Sequence, residues 1–484
     1  MLKFIAVKQH QPDKRPASQR KLDFAEIYRR FSLDRAQEQA SRCSQCGVPF
    51  CSVNCPLQNY IPDWLKLTAE DRLEEAYNLS SSTNSFPEIC GRICPQDRLC
   101  EGNCVIEADF HSVTIGAVES FITDTAFEKG WVQPIVPIIE KKQSIGIIGS
   151  GPCGMAAAGI LRQKGYQVHI YDRYDRAGGL LTYGIPTFKL EKETIARRQE
   201  WLEKSGIIFH FGISISDQDS KHTLSFANLR KLHDAIFLAT GVYKKKDVTV
   251  PGTNLNGVIQ ALDYLVASNK AIQSGNSSPD PMFNAKDKDI IVVGGGDTAM
   301  DCLRTAIRQG AKSVKCLYRR DKYNMPGSMR EVKNAEEEGV EFIWQAAPEA
   351  FIGTEKVNSI LAIRTELGLP DASGRQTVKL LSDSLFTLPA DMVIKAFGFD
   401  PEPLPQLWNE PSLKLSPSGT IKIDKKTFST SLDGVYAGGD IVRGASLVVW
   451  AIRDGREAAH QIDRYLSQKE KHSVEEQNTK EKVV

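Results

Sequence analysis

The stretch SIGIIGSGPCGMAAAGILRQKGYQVHIYDR, Ser144 to Arg173, decides the fold. A short apolar strand runs into Gly149-x-Gly151-x-x-Gly154, which opens an Ala-rich helix, and a second apolar strand ends in Asp172. Each glycine has a physical reason. The first permits a tight turn and the second lets backbone approach a pyrophosphate. The third brings helix and strand together, with the helix N-terminus facing the anion. Asp172 follows at the distance from which a carboxylate meets ribose hydroxyls. Strand, loop, helix and acid in one register predict a dinucleotide site. Cys153, inside the loop, has no cationic neighbour in the local sequence and reads as a packing residue.

The pattern recurs at DIIVVGGGDTAMDCLRTAIRQGAKSVKCLYRRD, Asp289 to Asp321. Gly294 and Gly296 open the helix with Asp297 and Thr298, and Ala299 stands where a third glycine would be. The following strand ends in Arg319 and Arg320 rather than in a carboxylate. An acid there would repel a 2′-phosphate, whereas Arg pairs with one bidentately, so this loop favours NADP(H) over NAD(H). A solvated strand end is the competing reading of the two arginines. Two shorter signals belong to the first nucleotide. FLATG (Phe237–Gly241) is a buried strand ending in a tight turn. GVYAGGDI (Gly434–Ile441) leaves Gly439 and Asp440 at a strand's carboxyl end, where ligands of such sheets collect. In α/β flavoproteins an Asp so placed meets the ribityl chain of FAD. The order of these signals predicts an α/β chain with two Rossmann-like dinucleotide-binding domains, the FAD domain discontinuous and the NADPH domain inserted into it. The expected boundaries are 141–250 and 390–470 for FAD and 251–389 for NADPH.

Residues 1–140 differ in character: polar, mostly helical in pattern, and rich in cysteine. Leu65, Leu73, Ala76 and Tyr77 fall at helical spacing and predict a packing helix. YKKKD (Tyr243–Asp247) reads as a solvated loop, and the charged residues 471–484 as a frayed tail. A chain of 484 residues has room for about three domains. Its net charge of +1 gives no electrostatic reason to expect nucleic acid or an anionic membrane. No secretory signal and no run of eighteen apolar residues is present, so the expected compartment is the cytoplasm, with no membrane span. Thiols are kept reduced there, and clustered cysteines read as metal or redox sites rather than disulfides. Eight of the eleven cysteines lie in CSQCGVPFCSVNCP (Cys43–Pro56) and CGRICPQDRLCEGNC (Cys90–Cys104). The first run is like a ferredoxin's, in which three close cysteines hold one [4Fe–4S] cluster and the fourth, before Pro, reaches another. Cys43, Cys46 and Cys51 then begin one cluster and Cys55 belongs to a second. Structural zinc is the competing reading, although neither run contains a histidine and zinc has no redox role beside a flavin.

These runs, with GGLLTYGIP, NMPGS, REVKNAEEEGVEF and GASLVVWAIRDGREAA, make residues 20–470 resemble the small (beta) subunits of bacterial NADPH-dependent glutamate synthases. The same module resembles the N-terminal part of dihydropyrimidine dehydrogenase. The resemblance implies two [4Fe–4S] clusters with interleaved ligands: Cys43, Cys46, Cys51 and Cys104 for one, and Cys55, Cys94, Cys100 and Glu119 for the other. Cys90 is left as a packing thiol. The cofactor-binding positions expected are Gly149, Gly151, Gly154, Asp172, Gly179, Gly241, Gly439 and Asp440 for FAD. For NADPH they are Gly294, Gly296, Asp297, Thr298, Arg319 and Arg320. The implied role is electron input: NADPH reduces FAD, and electrons leave singly through the clusters. They reach a large (alpha) subunit that makes L-glutamate from L-glutamine and 2-oxoglutarate. No catalytic acid, base or nucleophile is expected, since the cofactors carry the chemistry. A related NADPH:acceptor oxidoreductase serving another partner is the alternative enzyme, and a non-catalytic redox sensor or scaffold the alternative class. Thioredoxin-reductase chemistry is not expected, because neither Cys302 nor Cys316 lies in a C-x-x-C.

Overall fold

A computed structural model describes residues 1–218, 220–276, 279–371, 374 and 376–481, the last ten as helix backbone only. Two five-stranded parallel sheets organise it. In the first, the strand Ser144–Ile148 is central, flanked by Gln167–Asp172 and Ile208–Phe211 on one side and by Ala235–Leu238 and Val435–Ala437 on the other. This is the doubly wound order 3-2-1-4-5, built from two stretches of chain about 200 residues apart. Three of its strands, Ser144–Ile148, Ala235–Leu238 and Val435–Ala437, are apolar and almost wholly buried. The second sheet repeats the arrangement around Asp289–Val293, with Ser313–Tyr318 and Glu341–Trp344 on one side and Met392–Lys395 and Val258–Gln260 on the other. It therefore extends past the expected boundary at 389, because Met392–Lys395 pairs with Ile290–Val293.

Three features were not in the sequence reading. The strands Ala346–Gly353, Val357–Pro370 and Gln376–Pro389 form a three-stranded antiparallel sheet rather than a further βα unit. Lys244–Lys245, expected in a solvated loop, pairs antiparallel with Phe399–Asp400 where the chain crosses between the two sheets. The charged stretch expected to fray instead continues a helix from Val448 to Glu481, and residues 482–484 of that expected tail lie outside the described residues. This long helix lies against the helix Pro152–Gln163. Gly455 permits the approach, since a Cβ there would stand 2.1 Å from the Cys153 carbonyl oxygen.

The N-terminal part is helical, as the pattern implied. Its segment around Leu65–Thr83 is two helices, Ile61–Ala69 and Leu73–Thr83, rather than one. Asp71 breaks them by taking a positive φ of 61°, a conformation that Asp tolerates better than most residues. The helix Pro87–Ile93, which carries Cys90, crosses Ile115–Glu128, which carries Glu119. They touch at two glycines: a Cβ on Gly91 would stand 2.5 Å from the Gly116 carbonyl oxygen. That contact is what brings the second cysteine run to Glu119. Buried ion pairs tie the three parts together. Arg198 grips Glu88 through two 2.9 Å bonds, Arg20 meets Glu338 at 2.8 Å, and Lys189 meets Asp301 at 2.8 Å. Among the described residues no helix is long and apolar enough to cross a membrane.

Candidate active site

The first glycine loop has the geometry its motif requires. Gly149 adopts φ 105°, and a Cβ there would come 2.4 Å from the Ala239 oxygen. Gly154 faces the Gly149 oxygen at a distance that would be 2.0 Å from a Cβ, so the third glycine is sterically obligatory. At Gly151 a Cβ would meet no protein atom within 4 Å. The space before it opens into a cavity of about 920 Å³, the volume class of a large ligand site. Gly149, Gly151, Asp172, Gly179, Gly241 and Asp440 all line this cavity.

Asp172 is already engaged within the loop. Its Oδ2 accepts from the Ser150 amide (2.7 Å) and hydroxyl (2.6 Å), and its Oδ1 from the Tyr174 amide (2.9 Å). An ionised carboxylate has about four acceptor sites, so it can brace the loop and still face the cavity. Gly179 (φ 53°) packs beside Gly151, with its Cβ position 3.1 Å from the Gly151 Cα. Gly241 (φ 73°) and Gly439 (φ 74°) end their strands in the left-handed region. Asp440 accepts from Ser446 Oγ at 2.6 Å, and burial raises its carboxyl above the usual range. Asp454, which the sequence reading passed over, binds the Gly439 amide (3.1 Å) and holds Arg443 bidentately at 2.6 Å. Its spacing on a helix gives no sign of that turn.

The second loop is built alike. Gly294 (φ 145°) lies against Ala396, and Gly296 is open, with nothing within 4 Å of a Cβ. NMPGS folds over it: Gly327 N–H donates to the Gly295 oxygen (2.9 Å) and Ser328 N–H to Asp297 Oδ1 (2.9 Å). Asp297 and Thr298 line the same large cavity as the first loop. The two arginines part company. Arg319 is exposed, whereas Arg320 is 5% exposed, and its Nε donates to the Gln376 oxygen at 3.1 Å. Arg320 is thus buried beside the antiparallel sheet, and its Nη1 has no hydrogen-bond partner among the described residues, whereas Arg319 is exposed. Neither borders the large cavity. Lys189, Asp301, Arg330 and Gln96 do border it, and the sequence reading singled out none of them.

The thiols fall into two groups. Cys43, Cys46, Cys51 and Cys104 are neighbours: Cys43 feels the charge of Cys46 and Cys104, Cys51 that of Cys43 and Cys104, and Cys104 that of Cys46. Cys55, Cys90, Cys94, Cys100 and Glu119 line a second, smaller cavity with Trp64, Leu99, Ile115 and Val449. Burial pushes the Cys51 thiol up to about 12 and Cys55 to about 11. It also pushes the Glu119 carboxyl up to about 8. Glu119 Oε1 accepts from both Asn59 (3.0 Å) and Asn84 (3.1 Å), which aim the carboxyl. Among the described residues no three such side chains close on the bonding sphere of one metal ion. A four-iron cluster spreads its thiolates more widely, and buried soft donors suit it. Cys94 and Gln96 line both cavities.

Two nucleotide loops facing one cavity, beside a thiol-lined domain, define a pyridine-nucleotide oxidoreductase with an iron–sulfur module. Residues 143–455 match the family model of pyridine nucleotide-disulphide oxidoreductases, and residues 20–131 that of dihydropyrimidine dehydrogenase domain II, 4Fe-4S cluster. The glutamate synthase [NADPH] small chain of Azospirillum brasilense is 59% identical over 97% of both chains. That of Escherichia coli K12 is 44% identical over 96% of this chain and 98% of its own. Mycobacterium tuberculosis FprA, solved in complex with NADPH, shares the fold at 19% identity (TM-score 0.56), covering 69% of this chain and 86% of its own. The chain belongs to the glutamate synthase [NADPH] small-chain family.

Proposed function

We propose that this oxidoreductase is the electron-input half of a glutamate synthase. Bound to it, NADPH and FAD supply two-electron hydride chemistry, and two [4Fe–4S] clusters supply one-electron transfer to a large subunit that forms L-glutamate. The observation that carries the reading is the shared cavity: the FAD loop, the N-terminus of the NADPH helix and Cys94 all border it. Gly151 and Gly296 leave room for the two pyrophosphates at helix N-termini. Asp172 and Asp440 receive the ribose and ribityl hydroxyls of FAD, and Arg319 receives the 2′-phosphate of NADPH. Cys43, Cys46, Cys51 and Cys104 hold the first cluster. Cys55, Cys94, Cys100 and Glu119 hold the second, which adjoins the flavin cavity through Cys94. Cys90 stays a buried thiol beside Cys94 and Asn84.

The first thiol group faces outward. Val48, Phe50, Val53 and Val105, all within a few residues of its cysteines, are each more than half exposed. Contiguous exposed apolar side chains mark contact surfaces, and here they would receive the large subunit in the cytoplasm. The test is anaerobic purification with assay of FAD, iron and acid-labile sulfide, followed by NADPH addition with and without the large subunit. The reading expects one FAD, iron with sulfide, flavin bleaching by NADPH, and glutamate formation only with the partner. Stoichiometric zinc in place of iron and sulfide would refute the clusters.

A further inference from the structure

Gln96 sits where the three parts of the chain meet. It is 3% exposed and, with Cys94, borders both the large cavity and the thiol-lined one. Its amide nitrogen donates to the carbonyl oxygens of Cys90 (3.3 Å) and Gly91 (2.9 Å), in the helix that leads directly into Cys94. Its Oε1 accepts from Arg330 Nη1 at 3.0 Å. The fit is close, for a Cβ on Gly116 would stand 2.5 Å from Gln96 Nε2. Arg330 belongs to the helix Met329–Glu338 of the second glycine-loop unit, directly after the NMPGS segment that folds over that loop. A second bond runs the same way, from Arg98 Nη2 to the Pro326 oxygen at 2.9 Å. A chain of direct bonds thus connects the second glycine loop (Gly295–Gly327) with the second cysteine run.

We infer that Arg330 and Gln96 couple nucleotide occupancy of the second glycine loop to the redox poise of the second thiol set. This rests on the functional reading above. The Arg330 guanidinium lies in the nucleotide cavity and has more N–H donors than its bond to Gln96 uses. An anionic nucleotide seated on the loop draws on that charge and on the segment that carries it. Gln96 passes the change to the Cys90 and Gly91 carbonyls, the first of which also accepts from the Cys94 amide at 3.1 Å. Outer hydrogen bonds and net charge set the potentials of iron–sulfur centres, so the potential should follow occupancy. Linkage makes the effect reciprocal: reduction of the cluster must change nucleotide affinity by the same factor. Gln96 is thus a positioning residue, acting through the backbone of the second cysteine run.

The test uses the anaerobic holoenzyme and 2′-phospho-ADP-ribose, which carries the nucleotide end of NADP without the reducible ring. FAD, iron and sulfide contents are measured first, because their absence would defeat the functional reading and this inference with it. Cluster midpoint potentials and reduced-state EPR spectra are then recorded with and without the probe, for the wild type, R330Q, R330K and Q96L. The expected result is a probe-dependent shift of one cluster signal in the wild type, lost in R330Q and Q96L and partly restored in R330K. Arg330 lies on the cavity wall, so R330Q keeps the test valid if Q96L folds poorly. An unchanged shift in R330Q with full cofactor content would overturn the coupling. So would bound probe with no shift in the wild type.

Discussion

Gly151 and Gly154 occupy one motif for different reasons, and single Ala substitutions separate them. At Gly154 a Cβ would collide with backbone at 2.0 Å, so G154A should lose about 1–3 kcal/mol of stability and its flavin with it. At Gly151 the space is open, so G151A should keep its apoprotein stability within about 0.5 kcal/mol while FAD affinity falls. Thermal melts of apoprotein beside flavin titrations check both, and equal destabilisation by the two would contradict the assignment of open space to pyrophosphate. The arginines make a second contrast. R319Q should raise the KM for NADPH roughly tenfold to a hundredfold, the worth of a charge-assisted contact, and leave NADH little changed. R320Q should mainly lower the melting temperature, because Arg320 is buried and bonded to Gln376. Equal wild-type efficiency with both nucleotides would remove the phosphate role of Arg319.

One face of the first sheet carries an aromatic cluster that no motif signalled. His169 and Tyr171 on one strand and His210 on the next stack there, and Gly146 leaves room for His233. The His233 ring bonds Ser144 Oγ at 2.6 Å and Tyr171 Oη at 2.9 Å, while His169 and His210 join nitrogen to nitrogen at 3.0 Å. Burial, with the charges of His169 and His210 against it and Asp234 in its favour, pulls His233 down to about 4. The unfolded chain, with histidine near 6.5, then binds more protons between these values. Stability should be full above about pH 6.5 and fall as pH drops toward 4. Allowing for partial exposure, His233 should contribute about 1–2 kcal/mol of that loss. Urea midpoints of wild type and H233N across this range check it; parallel slopes would show that His233 is not the group responsible.

In the whole molecule the thiol-lined domain is clamped to the FAD unit by Arg198 and Glu88, and the proposed electron path runs through it. C51A removes a donor from the outward-facing thiol group and touches neither glycine loop. It should retain FAD and its bleaching by NADPH, and keep dye reduction drawn directly from the flavin, yet fail in glutamate formation with the large subunit. Flavin loss would mean that the domain braces the FAD unit, a role its Arg198–Glu88 contact makes physically reasonable. Glutamate formation at the normal rate would take the first thiol group off the electron path.

Local chemistry was enough to read the strands Ser144–Ile148 and Asp289–Val293 and the glycines after them, because turn sterics and strand periodicity act within a few residues. Cysteine spacing likewise announced the two runs. What spacing could not decide is contact between residues far apart in the chain. Glu119 meets the second run only because Gly91 and Gly116 let two helices cross. Arg320 turned inward because the antiparallel strands Val357–Pro370 and Gln376–Pro389 pack over its strand end, whereas Arg319, one residue earlier, stayed exposed. The shared cavity, with Lys189, Asp301, Arg330 and Gln96 on its wall, exists only when three units dock. Side-chain burial and pairing across such docking depend on tertiary geometry, which no short-range pattern encodes.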